Sequence, residues 1–97
     1  MKVVVSNQVI DFVRRLAPEP RRVVRRALRN LAAGKGDISQ LEAPLDGYQR
    51  LRVGPYRVIL SYSERRRIEC VFAERWSLVC EVFARVLAEQ LVATREE

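Results

Sequence analysis

The segment YQRLRVGPYRVILSY, Tyr48 to Tyr62, places Arg50, Arg52 and Arg57 in two strand-like runs joined at Gly54-Pro55. Side chains alternate across a strand, so Tyr48, Arg50 and Arg52 share one face while Gln49, Leu51 and Val53 share the other. In the next run Val58, Leu60 and Tyr62 suit a core, which leaves Arg57, Ile59 and Ser61 on the open face. The same alternation in Ile68 to Arg75 assigns Ile68, Cys70 and Phe72 to the core and Val71, Ala73 and Arg75 to the open side. Arg50, Arg52, Arg57 and Arg75 are therefore expected together on one side of a sheet. Such a cluster repels itself unless an anion sits among it, and guanidinium groups bind phosphate in a planar, bidentate way. A phosphodiester is the natural guest. The same spacing also describes ordinary solvated positions on a half-exposed antiparallel sheet.

A second basic set, Arg22, Arg25, Arg26 and Arg29, recurs at helical spacing opposite the apolar positions Val24, Ala27, Leu28 and Leu31. It reads either as a solvated helix face or as a docking surface for a nucleic-acid backbone. Trp76, next to Arg75, can stack on a base or simply pack at a strand end. The carboxylates near the arginines are Glu42, Asp46 and Glu74, and alternation places Glu74 on the wrong face; none is selected as a proton acceptor. With no histidine and no Cys-x-x-Cys in the chain, neither a metal site nor another cofactor is expected. Cys70 and Cys80, both within apolar stretches, read as small buried hydrophobes.

The elements that must position these groups follow from periodicity and punctuation. A β-branched run from Met1 to Ser6 suits a buried strand. Ser6 then caps a helix whose Val9, Phe12, Val13 and Leu16 recur at i, i+3, i+4 and i+7 and which stops before Pro18. A second helix begins with Pro20 near its first position and ends at Gly34, making an αα hairpin with the first. The stretch from Gly34 to Gly47 reads as a loop anchored by Leu41 and Leu45. Three strands, Tyr48 to Val53, Tyr56 to Tyr62 and Ile68 to Arg75, form an antiparallel meander. A last helix, capped by Ser77, presents Val79, Val82, Phe83, Val86 and Leu87 on one stripe.

The chain of 97 residues is expected to form one domain over residues 1–97, since it cannot supply a second core. Its net charge of +6 and pI near 10.1 favour a polyanionic partner: RNA, DNA or an acidic protein segment. No run approaches the roughly 18 apolar residues of a membrane span, and the N-terminus lacks the pattern of a signal peptide. The expected location is the cytoplasm, with no membrane partner.

YQRLRVGPYRVILSY, preceded by ISQLEAPLDG and followed by IECVFAERW, resembles the RelE/ParE superfamily of type II toxins. The resemblance covers nearly the whole chain. It implies an α+β fold with three helices and a four-stranded, mainly antiparallel sheet in the order β-α-α-β-β-β-α. RelE-like members are ribosome-dependent endoribonucleases that cut messenger RNA, and the resemblance implies catalytic roles for Arg50, Arg52, Arg57 and Arg75. Tyr48, Trp76, Arg22, Arg25, Arg26 and Arg29 are the expected RNA contacts beside them. The chain departs from better RelE-like patterns in having arginines where some active relatives have lysines at positions 50 and 52. It also has no tyrosine after Tyr62. Those departures leave open a ParE-type poison of DNA gyrase without nuclease activity, or a degenerate toxin that binds only its antitoxin. The implied partners are a cognate antitoxin, the ribosome and messenger RNA.

Overall fold

A computed structural model of the chain describes residues 1–75 and 85–86. Within these, two helices pack on one side of a five-stranded mixed sheet. Strand β1 (Lys2–Val5) leads into α1 (Asn7–Arg15) and α2 (Pro18–Leu31), followed by β2 (Asp37–Gln40), β3 (Gln49–Val53), β4 (Tyr56–Ser63) and β5 (Arg67–Arg75). The strands lie in the order β1-β5-β4-β3-β2, with β1 parallel to β5 and every other pair antiparallel.

The first helix forms where the sequence provides a cap and a stripe. The Ser6 hydroxyl oxygen accepts the Val9 N–H at 3.2 Å and donates its own proton to the Val71 carbonyl at 3.0 Å, so one side chain starts α1 and ties it to β5. Val9 and Val13, four residues apart, are buried on the sheet, with Phe12 and Leu16 beside them. At the other end, Arg21 Nη2 donates to the Leu16 carbonyl at 3.0 Å and to that of Arg14 at 3.4 Å, covering carbonyls that the helix leaves unpaired. The second helix starts at Pro18 rather than near Pro20 and closes at Leu31, short of the expected Gly34; Pro18 leads and Pro20 follows within the first turn, where a missing N–H costs nothing. Val24 and Leu31 are its fully buried contacts.

The expected three helices over a four-stranded sheet is corrected in two respects. A fifth strand, β2, occupies part of what reads as a loop. It is only four residues long, and Ile38 alone of its side chains turns into the core, too weak a pattern to register between glycines. Gly36 allows its approach, because a Cβ there would stand 2.9 Å from Leu51 Cδ1 and the backbone φ of +147° disfavours a side chain. The sheet is also mixed, because β1 at one margin runs parallel to β5. The expected last helix falls outside the described residues, except for Arg85 and Val86, which are helical.

The core divides between the two faces of the sheet. Towards the helices lie Leu51, Val53, Tyr56, Val58, Leu60, Ile68, Cys70 and Ala73, packed with the helical stripe. On the opposite face the loop after β2 folds back so that Leu41 and Leu45 cover Ile59 and Phe72, with Tyr48 and Val71 at the margin. The two leucine anchors match this arrangement, while the loop itself begins only after β2 and not at Gly34.

Phe72 lies on that second face because of a β-bulge. The β4–β5 register passes from Ile59↔Phe72 to Leu60↔Cys70, so Val71 is an extra residue and alternation reverses across it. Ile68 and Cys70 face the helices as expected. Phe72 does not, and Ala73, expected on the open side, is buried towards the helices. Beyond the end of β1 the edge of β5 is closed by the Gln8 amide, which donates to the Ala73 carbonyl and accepts the Ala73 N–H, both at 2.7 Å.

Two measurements check this account. Ser6→Ala removes a cap and an inter-element hydrogen bond at once and should cost about 1–2 kcal/mol in denaturant unfolding. Burial pushes the Cys70 thiol up to about 11, so at pH 8 its thiolate is scarce. In a Cys80→Ser background, iodoacetamide should leave Cys70 unmodified in the native protein and label it once the chain is unfolded; rapid native labelling would show that the helix-side core is not closed over it.

Candidate nucleic-acid interface

Turn chemistry places the first candidate side chain. Gly54 and Pro55 join β3 to β4, and Gly54 has φ +57°. A proline cannot take positive φ, so the two-residue turn has glycine in the first central position, as a type II′ hairpin requires. The turn exposes its carbonyls to the next arginine. Arg57 Nη1 donates to the Gly54 carbonyl at 2.7 Å and to the Tyr56 carbonyl at 2.8 Å, which fixes the direction of the guanidinium.

Cross-strand register places the rest. Arg52 is opposite Arg57, and Arg50 is opposite Ile59, so all three arginines of the hairpin share the face away from the helices. Their proximity is felt electrostatically: the Arg57 guanidinium is held below its ordinary pKa, first by partial burial and then by the charges of Arg52 and Arg50. Asp37 acts in the opposite direction. It is the partner of Arg52 on β2, and Glu74 is the partner of Arg57 on β5. One row across four strands therefore reads Asp37, Arg52, Arg57, Glu74.

Arg75 is not in that row. The bulge at Val71 makes it the partner of Tyr56, and its guanidinium carbon stands 5.7 Å from the Tyr56 ring centroid. Phe12 meets the same ring edge-on at 5.6 Å, on the helix side. The expected gathering of four arginines is thus corrected to three, and Glu74, placed on the wrong face by simple alternation, takes the register position meant for Arg75. The Glu74 carboxylate accepts the Arg75 N–H at 3.1 Å and so folds along its own strand.

Tyr48 is half-buried at the margin of the Leu41, Leu45, Ile59 and Phe72 cluster, two residues before Arg50 and on the same side of the sheet. Glu42 and Asp46 are exposed in the covering loop. Arg22, Arg25, Arg26 and Arg29 are exposed on α2, whose Val24 and Leu31 face the sheet from the other side. The structure does not bring this set together with Arg50, Arg52 and Arg57. Arg22 pairs with Glu19 at 3.5 Å, with both side chains largely exposed, a contact worth little. Arg25 joins Arg14 at a groove floored by Val5, Val9, Ile10, Val13 and Leu28. Trp76 lies outside the described residues.

The residue that sequence reasoning missed is Asp37. Its signal was the alternation of Asp37 and Ser39 about Ile38, opposite the alternation of Arg50 and Arg52 about Leu51. Among the described residues no cluster of histidine, cysteine and carboxylates could hold a metal ion, and no helix is long and apolar enough to cross a membrane.

No protein-family model matches the chain, and no curated protein matches it either. Solved structures do. The archaeal RelE–RelB complex from Pyrococcus horikoshii matches with a TM-score of 0.60 at 24% identity, over 76% of this chain and 92% of that one. The RelB–RelE antitoxin–toxin complex from Methanococcus jannaschii matches with a TM-score of 0.65 at 14% identity, over 82% and 98%. A YoeB/ParE toxin from Agrobacterium tumefaciens gives 0.56 at 23% identity, over 77% and 98%. The chain therefore has the fold of the RelE/ParE superfamily of toxins, as its arginine-bearing hairpin implied.

Proposed function

We propose that this chain is the toxin of a type II toxin–antitoxin system and that it cuts messenger RNA on the ribosome. The observation that carries the reading is the row of the β3–β4 hairpin in which Arg52 and Arg57 oppose each other, with Arg50 beside them and Arg57 anchored to the carbonyls of its own turn. Such a pair of cations is unfavourable in isolation and favourable around a phosphate.

The reaction is attack by a ribose 2′-hydroxyl on the adjacent phosphate. Negative charge grows on the phosphoryl oxygens as the transition state forms, and pre-aimed guanidinium groups stabilise it without reorganising. Arg57 is the best fixed of the three. Arg50 and Arg52 share the phosphate and the neighbouring backbone, and Tyr48 offers an aromatic face to a base. An arginine remains charged at neutral pH and is a poor proton acceptor, so the arginines bind and stabilise while the ribosome orients the RNA. The exposed arginines of α2 meet nucleic-acid backbone on the other layer of the molecule. The antitoxin partner follows from the fold's relatives, several of which were solved as toxin–antitoxin complexes. An acidic, amphipathic segment would mask the basic surface.

Primer extension on messenger RNA held in purified ribosomes tests the reading. The wild-type protein should cut at the decoding site, and Arg57→Ala should lower the cleavage rate by about 10²–10³-fold and relieve growth arrest. An Arg57→Ala protein that cuts like wild type would count decisively against the role given to this row. Intact RNA together with loss of gyrase supercoiling would replace the nuclease reading with a gyrase poison.

A further inference from the structure

The row across the sheet contains more than phosphate ligands. Strands lie about 4.8 Å apart, so a phosphate shared by Arg52 and Arg57 sits over the gap between β3 and β4. Asp37 occupies the next position beyond Arg52, on β2. It is exposed, at the start of an edge strand, with Ile38 turned the other way into the core to hold the strand's orientation. Gly36 before it allows β2 to close on Leu51, which fixes the register that places Asp37 opposite Arg52. Its charge reaches as far as Arg57, two strands away, where it counters the repulsion from Arg52 and Arg50.

The other carboxylates are placed differently. Glu74 stands at the opposite end of the row, but its carboxylate is turned back to the Arg75 N–H. Glu42 and Asp46 belong to the covering loop, outside the strand register, and Glu42 contributes a backbone carbonyl to the Leu45 N–H at 2.9 Å. Glu69 shares the arginine face but lies two rows away, opposite Ser61, so Asp37 is the carboxylate at the open edge of the arginine row itself.

On the reading of the chain as an RNA-cleaving toxin, we infer that Asp37 is the proton acceptor of the reaction. An Asp37 carboxylate oxygen takes the proton from the ribose 2′-hydroxyl. The 2′-oxygen forms a bond to phosphorus as the bond from phosphorus to the 5′-oxygen breaks. The departing 5′-oxygen takes a proton from water, and Asp37 later returns its own to solvent. The products are a 2′,3′-cyclic phosphate and a 5′-hydroxyl end, with no change of oxidation state and no co-reactant besides water. The two arginines stabilise charge on the non-bridging oxygens throughout. This divides the row into one group that moves a proton and two that do not, and it supplies the function that no arginine can perform.

The experiment is single-turnover cleavage of ribosome-bound messenger RNA by the wild-type protein, Asp37→Asn, Asp37→Glu and Arg57→Ala, with RNA affinity measured in parallel. Asp37→Asn should lose about 10²–10⁴-fold in the cleavage rate while its affinity stays the same or tightens, because a negative charge has been removed beside the phosphate. Asp37→Glu should recover part of the rate. A substrate with sulfur in place of the scissile 5′-oxygen needs no help for its leaving group, so the Asp37→Asn defect should persist on it. Rescue by that substrate would make Asp37 a proton donor and overturn the assignment. Full activity of Asp37→Asn beside an inactive Arg57→Ala would overturn it while leaving the nuclease reading intact. A wild-type protein that leaves RNA uncut would overturn both.

Discussion

Two like charges directly opposite each other in an antiparallel pair are destabilising. Arg52 and Arg57 occupy such a pair, with Arg50 on the same face. The repulsion is contained locally. Asp37 and Glu74 flank the pair in register, and the Gly54 turn gives Arg57 two carbonyls to hold. Substituting Asp37, Arg52 or Glu74 alters the balance without touching an apolar core, whereas Gly54, at φ +57°, is needed for the turn itself.

The register itself depends on features remote from the arginines. The bulge at Val71 sends Phe72 to the open face, where it meets Ile59, Leu41 and Leu45, and sends Ala73 to the helix side. Without the extra residue the covering loop would lose half of its floor, and a phenylalanine would have to fit where the small Ala73 is fully buried. The end of β1 accounts for Gln8. Past Val5 the edge of β5 has no strand beside it, and the Gln8 amide stands in for one at Ala73. Ser6 and Gln8 thus anchor α1 to the two sides of the irregularity, at Val71 and Ala73.

Much of this was legible in the sequence because local signals agreed. Ser6 as a cap, the valine stripe of α1, the αα hairpin, Gly54-Pro55 as a turn, and Leu41 and Leu45 as loop anchors each rest on a few adjacent residues. The placement of Arg50, Arg52 and Arg57 on one face follows from alternation within a hairpin whose turn fixes the register. What was not legible depended on pairing over long separations. Nothing near Val71 marks it as a bulge, since valine at every one of its neighbouring positions would fit a regular strand equally well, and so the faces of Phe72, Ala73, Glu74 and Arg75 were inverted. Strand β2 exists because β3 offers it an edge, and its four residues show only one buried contact of their own.

The layout of the open face also explains why the arginine pair sits where it does. The row of Asp37, Arg52, Arg57 and Glu74 lies nearest the Gly54 turn, and the adjacent row, Ser39, Arg50, Ile59 and Phe72, runs beneath the covering loop. Arg57 lies one row from this covered patch, and its guanidinium is held below its ordinary pKa by partial burial and then by the charges of Arg52 and Arg50. A low local dielectric acts in both directions: it would raise the repulsion within the arginine pair and equally strengthen the attraction for the phosphate that the proposed reading assigns to it.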